Sequence, residues 1–508
     1  MRVQSSATTH RVAARLDCRI TVTCSSWRHD EISLDPPAHG EWSAGEPPPV
    51  WLYVALFVLI ECAFLAGTVV TWPHDKSMAS EDFTRTALAA PFALWIAVSS
   101  VLYASLYDNR AFEAAVKNTA RWHLLMRWQR GVRSGVAVLD TVIFAPEPDL
   151  AERMLKLDGS PPENPGRVMR LNGIESTDGA PRERMVIEAL LAPLAAKLAR
   201  AARSDSFDIV MQCERAESYV DVLAVWTKLK LPGKPRIRWL SNDRNPGFAN
   251  VWFEGDTDTA YAASSESGRN PKYRLVLAWH LNGTGADVRP AASEAAVALL
   301  LGSPALMQER PQLKCHAWLL RQIVADADEV EKALARLLAA EQVPRERIRH
   351  FWYSRLKGLA LHATLGAVKD TELKVEQHAL DSATGPQAPV ARWLLQALAA
   401  KMAHFGQGAQ LVALPRPDGV VLNIVVKDKP AVDVPWKSEY EYALLPWADL
   451  SGCMALWAFL MLMSPYETWH TFEVVMTVVI GLVVVLSCAW RIFWGPRIYT
   501  DDVWRAYG

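Results

Sequence analysis

Apolar residues gather in four blocks near the two ends of the chain, and the long stretch between them changes period every few residues. The first two blocks, VWLYVALFVLIECAFLAGTVVTW (50–72) and ALAAPFALWIAVSSVLYASLY (87–107), are each long enough to cross a bilayer, whose hydrocarbon core takes about 20 apolar residues of helix. LSGCMALWAFLMLM (450–463) and VVMTVVIGLVVVLSCAW (474–490) form a second, closely spaced pair. The third block reaches full length only with help from Tyr442 to Ala448, and on its own it reads as a buried core helix. The pattern predicts four transmembrane α-helices in two hairpins, 49–107 and 441–494, with a tail at 1–48 and another at 495–508.

Between the hairpins, a juxtamembrane segment (108–179) leads into an expected α/β domain over 180–440. Short apolar runs predict strands at Val136 to Phe144, FDIVMQC (207–213), RIRWLS (236–241) and YRLVLAWHL (273–281). Glu183 to Arg203, Ala216 to Leu229, Asp326 to Glu341 and Ala391 to His404 read as helices. In AQLVALPRPDGVVLNIVV (409–426) the Pro-Asp-Gly between two apolar runs predicts a hairpin. SEAAVALLL (293–301) is too short to span a membrane and fits either a second buried strand or a buried helix. Strand, helix, strand recurs often enough to predict a largely parallel, layered sheet.

Charge gives the arrangement a direction. Arg110, Lys117, Arg121, Arg127, Arg130 and Arg133 follow the second block, whereas the loop between the first two offers only Lys76 and Arg85. Basic residues accumulate on the cytoplasmic side, so the middle region and both tails are expected there. Within MRWQRGVR (126–133), and at Arg121 before it, the arginines suit anionic lipid headgroups better than nucleic acid. Over the whole chain of 508 residues, 54 Lys and Arg face 55 Asp and Glu, so no global field attracts a polyanion. Glu61 lies near the middle of the first block, where an ionised carboxylate is costly to insert and is expected to be paired or to face a bundle interior. It reads as a packing residue, or as the working carboxylate of a small transporter, although no second intramembrane group completes a path.

Candidate chemistry is sparse. The seven cysteines, at positions 18, 24, 62, 213, 315, 453 and 488, form no CxxC pair and have no histidine at metal-ligand spacing, which speaks for a reducing compartment and against structural zinc. GxxxxGK[ST], HExxH and GxSxG are absent, and no GxGxxG follows a strand, so no cofactor or metal is expected. Cys213 ends a strand just before a helix, where a thiol's pKa can fall, yet its setting reads as a buried core thiol. His280 in LAWHLN, and His316 beside Cys315, read as core or loop residues.

The order YRLVLAWHL, SEAAVALLL, DEVEKALARLLAAEQVPRERIRHFW (328–352), VARWLLQALAAKM (390–402) and a closing hairpin resembles the second half of the thiolase or β-ketoacyl-synthase fold, with FDIVMQC in the first half. The resemblance covers about 180–426 and implies a layered mixed sheet. Enzymes of that family use a cysteine nucleophile at a helix N-terminus with histidines, or a histidine and an asparagine, from second-half loops. Here the nucleophile position reads RWLSNDRNPGFA (238–249), without cysteine, and the loops FWYSRLKG (351–358) and DSATGPQAPVARW (381–393) hold no histidine. The resemblance therefore implies a pseudo-enzyme.

VWTKLKLPGKPRIRWLS (225–241) and LAWHLNGTG with SEAAVALLLGSP are also similar to phrases of inner-membrane accessory proteins of bacterial type VI secretion systems. That likeness implies the inner membrane as location and a secretion effector or machine component as partner. The sequence reading is thus a non-catalytic, membrane-anchored scaffold, with a degenerate acyl-transfer enzyme of condensing type as the alternative and a transporter using Glu61 as the second.

Overall fold

The computed structural model describes residues 34–507, except 38–39, 75–76, 79, 158, 174–180, 204–206, 241–270, 284–289 and 465–469. Helix α1 (Val50–Thr71) follows the first apolar block. Helix α2 runs unbroken from Glu81 to Val132, so the juxtamembrane segment up to Val132 continues the second block as helix. Ser80 caps α2, its hydroxyl accepting the Phe83 N–H at 3.3 Å, and Glu81 and Asp82 put negative charge on the positive end of the dipole.

One sheet organises the α/β domain. Its strands are β1 (Gly135–Phe144), β2 (Phe207–Gln212), β3 (Arg236–Leu240), β4 (Tyr273–His280), β5 (Ala295–Gly302), β6 (Ala317–Leu320), β7 (Ile323–Asp326), β8 (Ile348–Tyr353), β9 (Glu376–Ala379), β10 (Ala409–Arg416) and β11 (Gly419–Val426). They lie in the order 3-2-4-5-1-6-11-10-8-9, with β7 beside β11. The order is a duplication. In the first half β2 pairs in parallel with β3 and β4, β4 antiparallel with β5, and β5 antiparallel with β1. In the second half β8 pairs in parallel with β9 and β10, β10 antiparallel with β11, and β11 antiparallel with β6 and β7, which together stand where β1 stands in the first. The halves join where Gly135–Val138 runs antiparallel to Leu320–Ala317. Glycine is needed at that seam, because a Cβ on Gly135 would come within 2.6 Å of the Leu319 carbonyl oxygen.

The sheet is mixed rather than largely parallel, and it begins at Gly135 rather than 180. The domain boundary expected at 180 is corrected because β1 is a central strand, with β5 on one side and β6 on the other. SEAAVALLL resolves as a strand: Ala295–Gly302 is buried at every position between β4 and β1, so both faces are covered and an unbroken apolar run is what that place requires.

Each face of the sheet has its own core. On one side lie α3 (Leu150–Met154) and a helix described below; on the other lie α4 (Arg182–Leu191), α5 (Ala195–Ala202), α6 (Tyr219–Lys228), α7 (Val330–Ala339) and α8 (Gly358–Asp370). The helix expected over Glu183 to Arg203 breaks into α4 and α5 at Pro193, which lacks the N–H an intact helix uses. Likewise the helix expected from Asp326 starts only at Val330, since Ile323–Asp326 pairs with β11 as β7. Helix α9 (Ala391–His404) is the central one, buried on nearly all sides between β1, β5, β6, β10 and β11. Its Ala-rich surface allows close approach, and its one deep polar group, Gln396, exchanges hydrogen bonds of 2.7 and 3.1 Å with Asn423.

The chain returns to the apolar bundle through α10 (Trp447–Met463) and α11 (Thr471–Ala506). Among the described residues three helices, α1, α2 and α11, are long and apolar enough to cross a membrane; α10 has 17 residues, about 25 Å at about 1.5 Å per residue. The two hairpins pack together. Between them Gly452 of α10 faces Ser100 of α2, and Ser451 and Ser100 share a 3.0 Å hydrogen bond; within the first hairpin Trp95 donates to the Tyr53 carbonyl at 2.9 Å, and within the second Trp457 donates to Thr477 at 3.0 Å. Arg491, buried, closes the end of the bundle on Asp108.

Candidate functional site

The carboxyl ends of the parallel strands in a layered sheet are where ligands bind. Here the end of β2 in the first half meets the loop after β9 in the second. Trp393, in the first turn of α9, donates to Gln212 at 2.6 Å. Ser293 receives the Met169 N–H at 3.0 Å, donates to the Thr384 carbonyl at 2.5 Å, and bridges to Gln387. Gly385 makes room for this contact: its φ is +76°, and a Cβ would lie 2.5 Å from the Arg167 carbonyl oxygen. Glu294 has no exposed surface, and it accepts both Arg182 Nη groups at 2.7 Å with the amides of Leu171 (2.7 Å) and Asn282 (2.8 Å). Burial alone would raise its pKa, but Arg182 and the two amides outweigh burial and hold the carboxyl below its usual range. Every oxygen lone-pair direction there is used, so Glu294 clamps the chain at Leu171, Arg182 and Asn282 within the first half rather than offering a reactive group, and the contacts that cross to the second half are those of Ser293 and Trp393.

The reactive arrangement lies beside it, at the ends of β2 and β4. His280 closes β4, and its Nδ1 lies 3.0 Å from Glu214 Oε1. A carboxylate only accepts, so in the neutral ring Nδ1 carries the hydrogen and Nε2 keeps its lone pair. That Nε2 is buried and has no hydrogen-bond partner among the described residues. A histidine oriented by a carboxylate, with its second nitrogen unengaged, has the geometry of a general base. Glu183 gathers neighbouring polar groups, accepting from Ser218 at 2.6 Å, Trp279 at 3.0 Å and Arg215.

Cys213 is 1% exposed, and its thiol donates to the Arg215 carbonyl at 3.0 Å. Burial pushes that thiol up to about 11, which keeps it protonated and unreactive at neutral pH, as the buried-core reading expected. Cys315 is also raised by burial. His316 lies 3.8 Å from Asp140 and against the His404 ring. The stretch where the family's nucleophile is expected, SNDRNPGFA (241–249), lies outside the described residues. FWYSRLKG supplies the end of β8 and its loop, and DSATGPQAPVARW a helical turn and the start of α9.

Of the other expected residues, Glu61 lines an open groove of about 530 Å³ with Phe57, Thr84, Leu88, Ala89 and Phe92. One carboxyl oxygen is buried there with no hydrogen-bond partner among the described residues. The arginines expected at lipid headgroups are partly turned inward. Arg121 approaches Glu41 at 3.9 Å and Arg133 donates to the carbonyls of Glu341 and Ala431, whereas Arg127, which lies over the Trp504 ring at 5.9 Å, and Arg130 are exposed.

A third cluster was invisible to motif reading. His350 of β8 and His378 of β9 are buried with Nδ1 and Nε2 3.0 Å apart, and Glu376 completes a group whose three nearest ligand atoms lie within 4.8 Å of one another. The available signal was EQH, since residues two apart on a strand share a face.

No family model matches the chain, and no curated protein does. Solved structures do align. One is the oxazolomycin ketosynthase domain of Streptomyces albus, 12% identical, covering 60% of this chain and 100% of its own with a TM-score of 0.38. Another is the ketosynthase from module 1 of the Bacillus amyloliquefaciens bacillaene synthase, 11% identical over 59% of this chain and 76% of its own, TM-score 0.38. A Burkholderia phymatum β-ketoacyl synthase is 12% identical over 57% of this chain and 98% of its own, TM-score 0.35. The sheet of the α/β domain is itself mixed and duplicated in its strand order. The expectation of a non-enzyme is corrected to this extent: the structures that align are those of ketosynthases and related condensing enzymes. None of them concerns type VI secretion.

Proposed function

We propose that this chain is a membrane-anchored acyl-transfer enzyme of condensing type, with His280 as general base and Glu214 as the carboxylate that orients it. The observation that carries the reading is the buried, unpartnered Nε2 of His280 at the carboxyl ends of β2 and β4, with Nδ1 held 3.0 Å from Glu214. In the proposed step Nε2 takes the proton from a hydroxyl or thiol as that group attacks a thioester carbonyl, Glu214 stabilises the imidazolium that forms, and collapse of the tetrahedral adduct breaks the C–S bond, the departing thiolate taking the proton back from Nε2 and leaving as free thiol. The chain departs from the family's pattern in its base and in the role of Cys213, whose protonated thiol takes no part. The anchor is read as two hairpins packed as one bundle, four spans in all, with the domain and both tails in the cytoplasm.

The test uses the full chain in lipid nanodiscs, offered acyl thioesters of short and long chain, with release of free thiol as the readout. His280→Gln and Glu214→Gln should each lower turnover, the former by about a hundredfold or more, a typical contribution of a general base. Cys213→Ala should leave it unchanged. Wild-type protein that releases no thiol from any thioester, or a His280→Gln variant as fast as wild type, would sink the reading.

A further inference from the structure

We propose that His350, Glu376 and His378 form a site for a divalent transition-metal ion of the zinc class. The cluster lies on the last two strands at one end of the sheet, β8 and β9, where His350 pairs with Glu376 and His378 is the next but one along β9, far in strand order from β2 and β4 that carry Glu214 and His280. It plays no part in the acyl-transfer reading.

The geometry is close to a coordination sphere. Zinc binds imidazole nitrogen at about 2.0–2.1 Å, so two nitrogens in a tetrahedral arrangement stand roughly 3.3–3.4 Å apart. The His350 and His378 nitrogens are 3.0 Å apart, and a separation of a few tenths of an ångström opens the place for an ion. Glu376 Oε2 lies 3.9 Å from His350 Nδ1, within a rotamer adjustment of the same ion. Two imidazoles and one carboxylate select zinc, cobalt or nickel over magnesium and calcium, which prefer all-oxygen shells. Three protein ligands leave a fourth position for water. Glu376 has 48% of its side chain exposed, which supplies the entry path that a buried pair alone would lack.

Second-shell contacts already orient one ring. The Met154 carbonyl accepts a hydrogen bond from His378, whose Nε2 faces His350, so the hydrogen falls to Nδ1 and Nε2 presents a lone pair. Both rings are buried, and burial favours the neutral imidazole that ligates a metal. In the empty site His350 Nδ1–H donates to His378. On metal uptake that proton moves through solvent to His350 Nε2, so both rings stay neutral and no net proton is released. Lys156 and Arg349 face the cluster as opposing charges and lower its affinity.

The test is titration of the full chain, stripped with chelator and held in detergent, with cobalt(II) chloride, followed by zinc content after gel filtration. One equivalent of zinc per chain, and the visible bands of a low-symmetry cobalt(II) site, are expected. His378→Ala should lose both. Glu376→Gln, an exposed and structurally mild change, should weaken cobalt binding about tenfold or more, and Lys156→Met should strengthen it. The proposal is overturned if wild type shows no cobalt bands, or if Glu376→Gln and Lys156→Met bind as wild type does. Because Glu376→Gln does not disturb the buried pair, a misfolded His378→Ala leaves the question decidable.

Discussion

Glu294→Gln is the sharpest test of how the first half holds Leu171, Arg182 and Asn282 together beside the start of β5. The side chain is fully buried, and its oxygens divide four donors evenly: Oε1 takes Arg182 Nη1 and the Asn282 amide, and Oε2 takes Arg182 Nη2 and the Leu171 amide. Glutamine keeps the shape but must turn its NH2 toward one of these pairs, which sets donors against donors whichever way it lies. Two hydrogen bonds are lost, one of them to a guanidinium, and Arg182 loses the charge it was buried against. Charge-assisted bonds contribute about 1.5–3 kcal/mol each, and breaking a buried ion pair costs about 3–5 kcal/mol. The estimate for Glu294→Gln is therefore about 3–5 kcal/mol. For a domain of this size that corresponds to a midpoint about 6–10 °C lower.

Tryptophan fluorescence during heating of the detergent-solubilised chain reads this directly, because Trp279 and Trp393 both lie near the clamp. Arg182→Met with Glu294→Leu should cost less than the sum of the two single changes, since no uncompensated charge remains. The pH dependence has a definite sign. The folded pKa of Glu294 is depressed, so its contribution is complete above the unfolded value of about 4.3 and is lost as pH falls through the folded one. Wild type should thus lose stability in acid more steeply than Glu294→Gln. A drop smaller than about 2 °C, with parallel acid profiles, would refute the clamp.

Two further outcomes follow from other contacts. Cys213, with a thiol near 11 and 1% exposure, is about one part in a thousand thiolate at pH 8, so iodoacetamide should label its peptide only after denaturation; native labelling at the rate of a free cysteine would contradict the burial. Gly135→Val puts a side chain where even a Cβ lies 2.6 Å from the Leu319 oxygen, so the β1–β6 seam should open and the thermal midpoint fall by several degrees, whereas an unchanged midpoint would mean that the seam is not a close backbone contact.

Much of the fold could be read from the chain because its central strands are buried on both faces and so are largely apolar. AAVALLLG is apolar throughout, FDIVMQC and YRLVLAWHL are broken mainly by Asp208 and Arg274, which pair with each other, and PRPDG marked its hairpin by turn chemistry. β8 and β9 were not legible for the converse reason: IRHFWY and EQHA lie toward the sheet's end and carry charged and ring side chains that no period-2 pattern reveals. β1 stood far ahead of its neighbours in the chain, so the domain seemed to begin too late. That distance is set by topology, which local patterning does not record.

The candidate site was hidden by the same cause. His280 and Glu214 are separated by 66 residues, and nothing in LAWHLN or QCER marks either as half of a pair. They meet because β2 and β4 are adjacent and parallel in register, Gln212 opposite Ala278, so the two residues that follow Gln212 and Ala278 by two land side by side at the same edge. The cysteine beside Glu214, Cys213, is a buried, inert thiol. What the sequence shows as an isolated core histidine becomes, through strand order alone, a ring with one nitrogen held and the other open, which is the arrangement an acyl-transfer base requires.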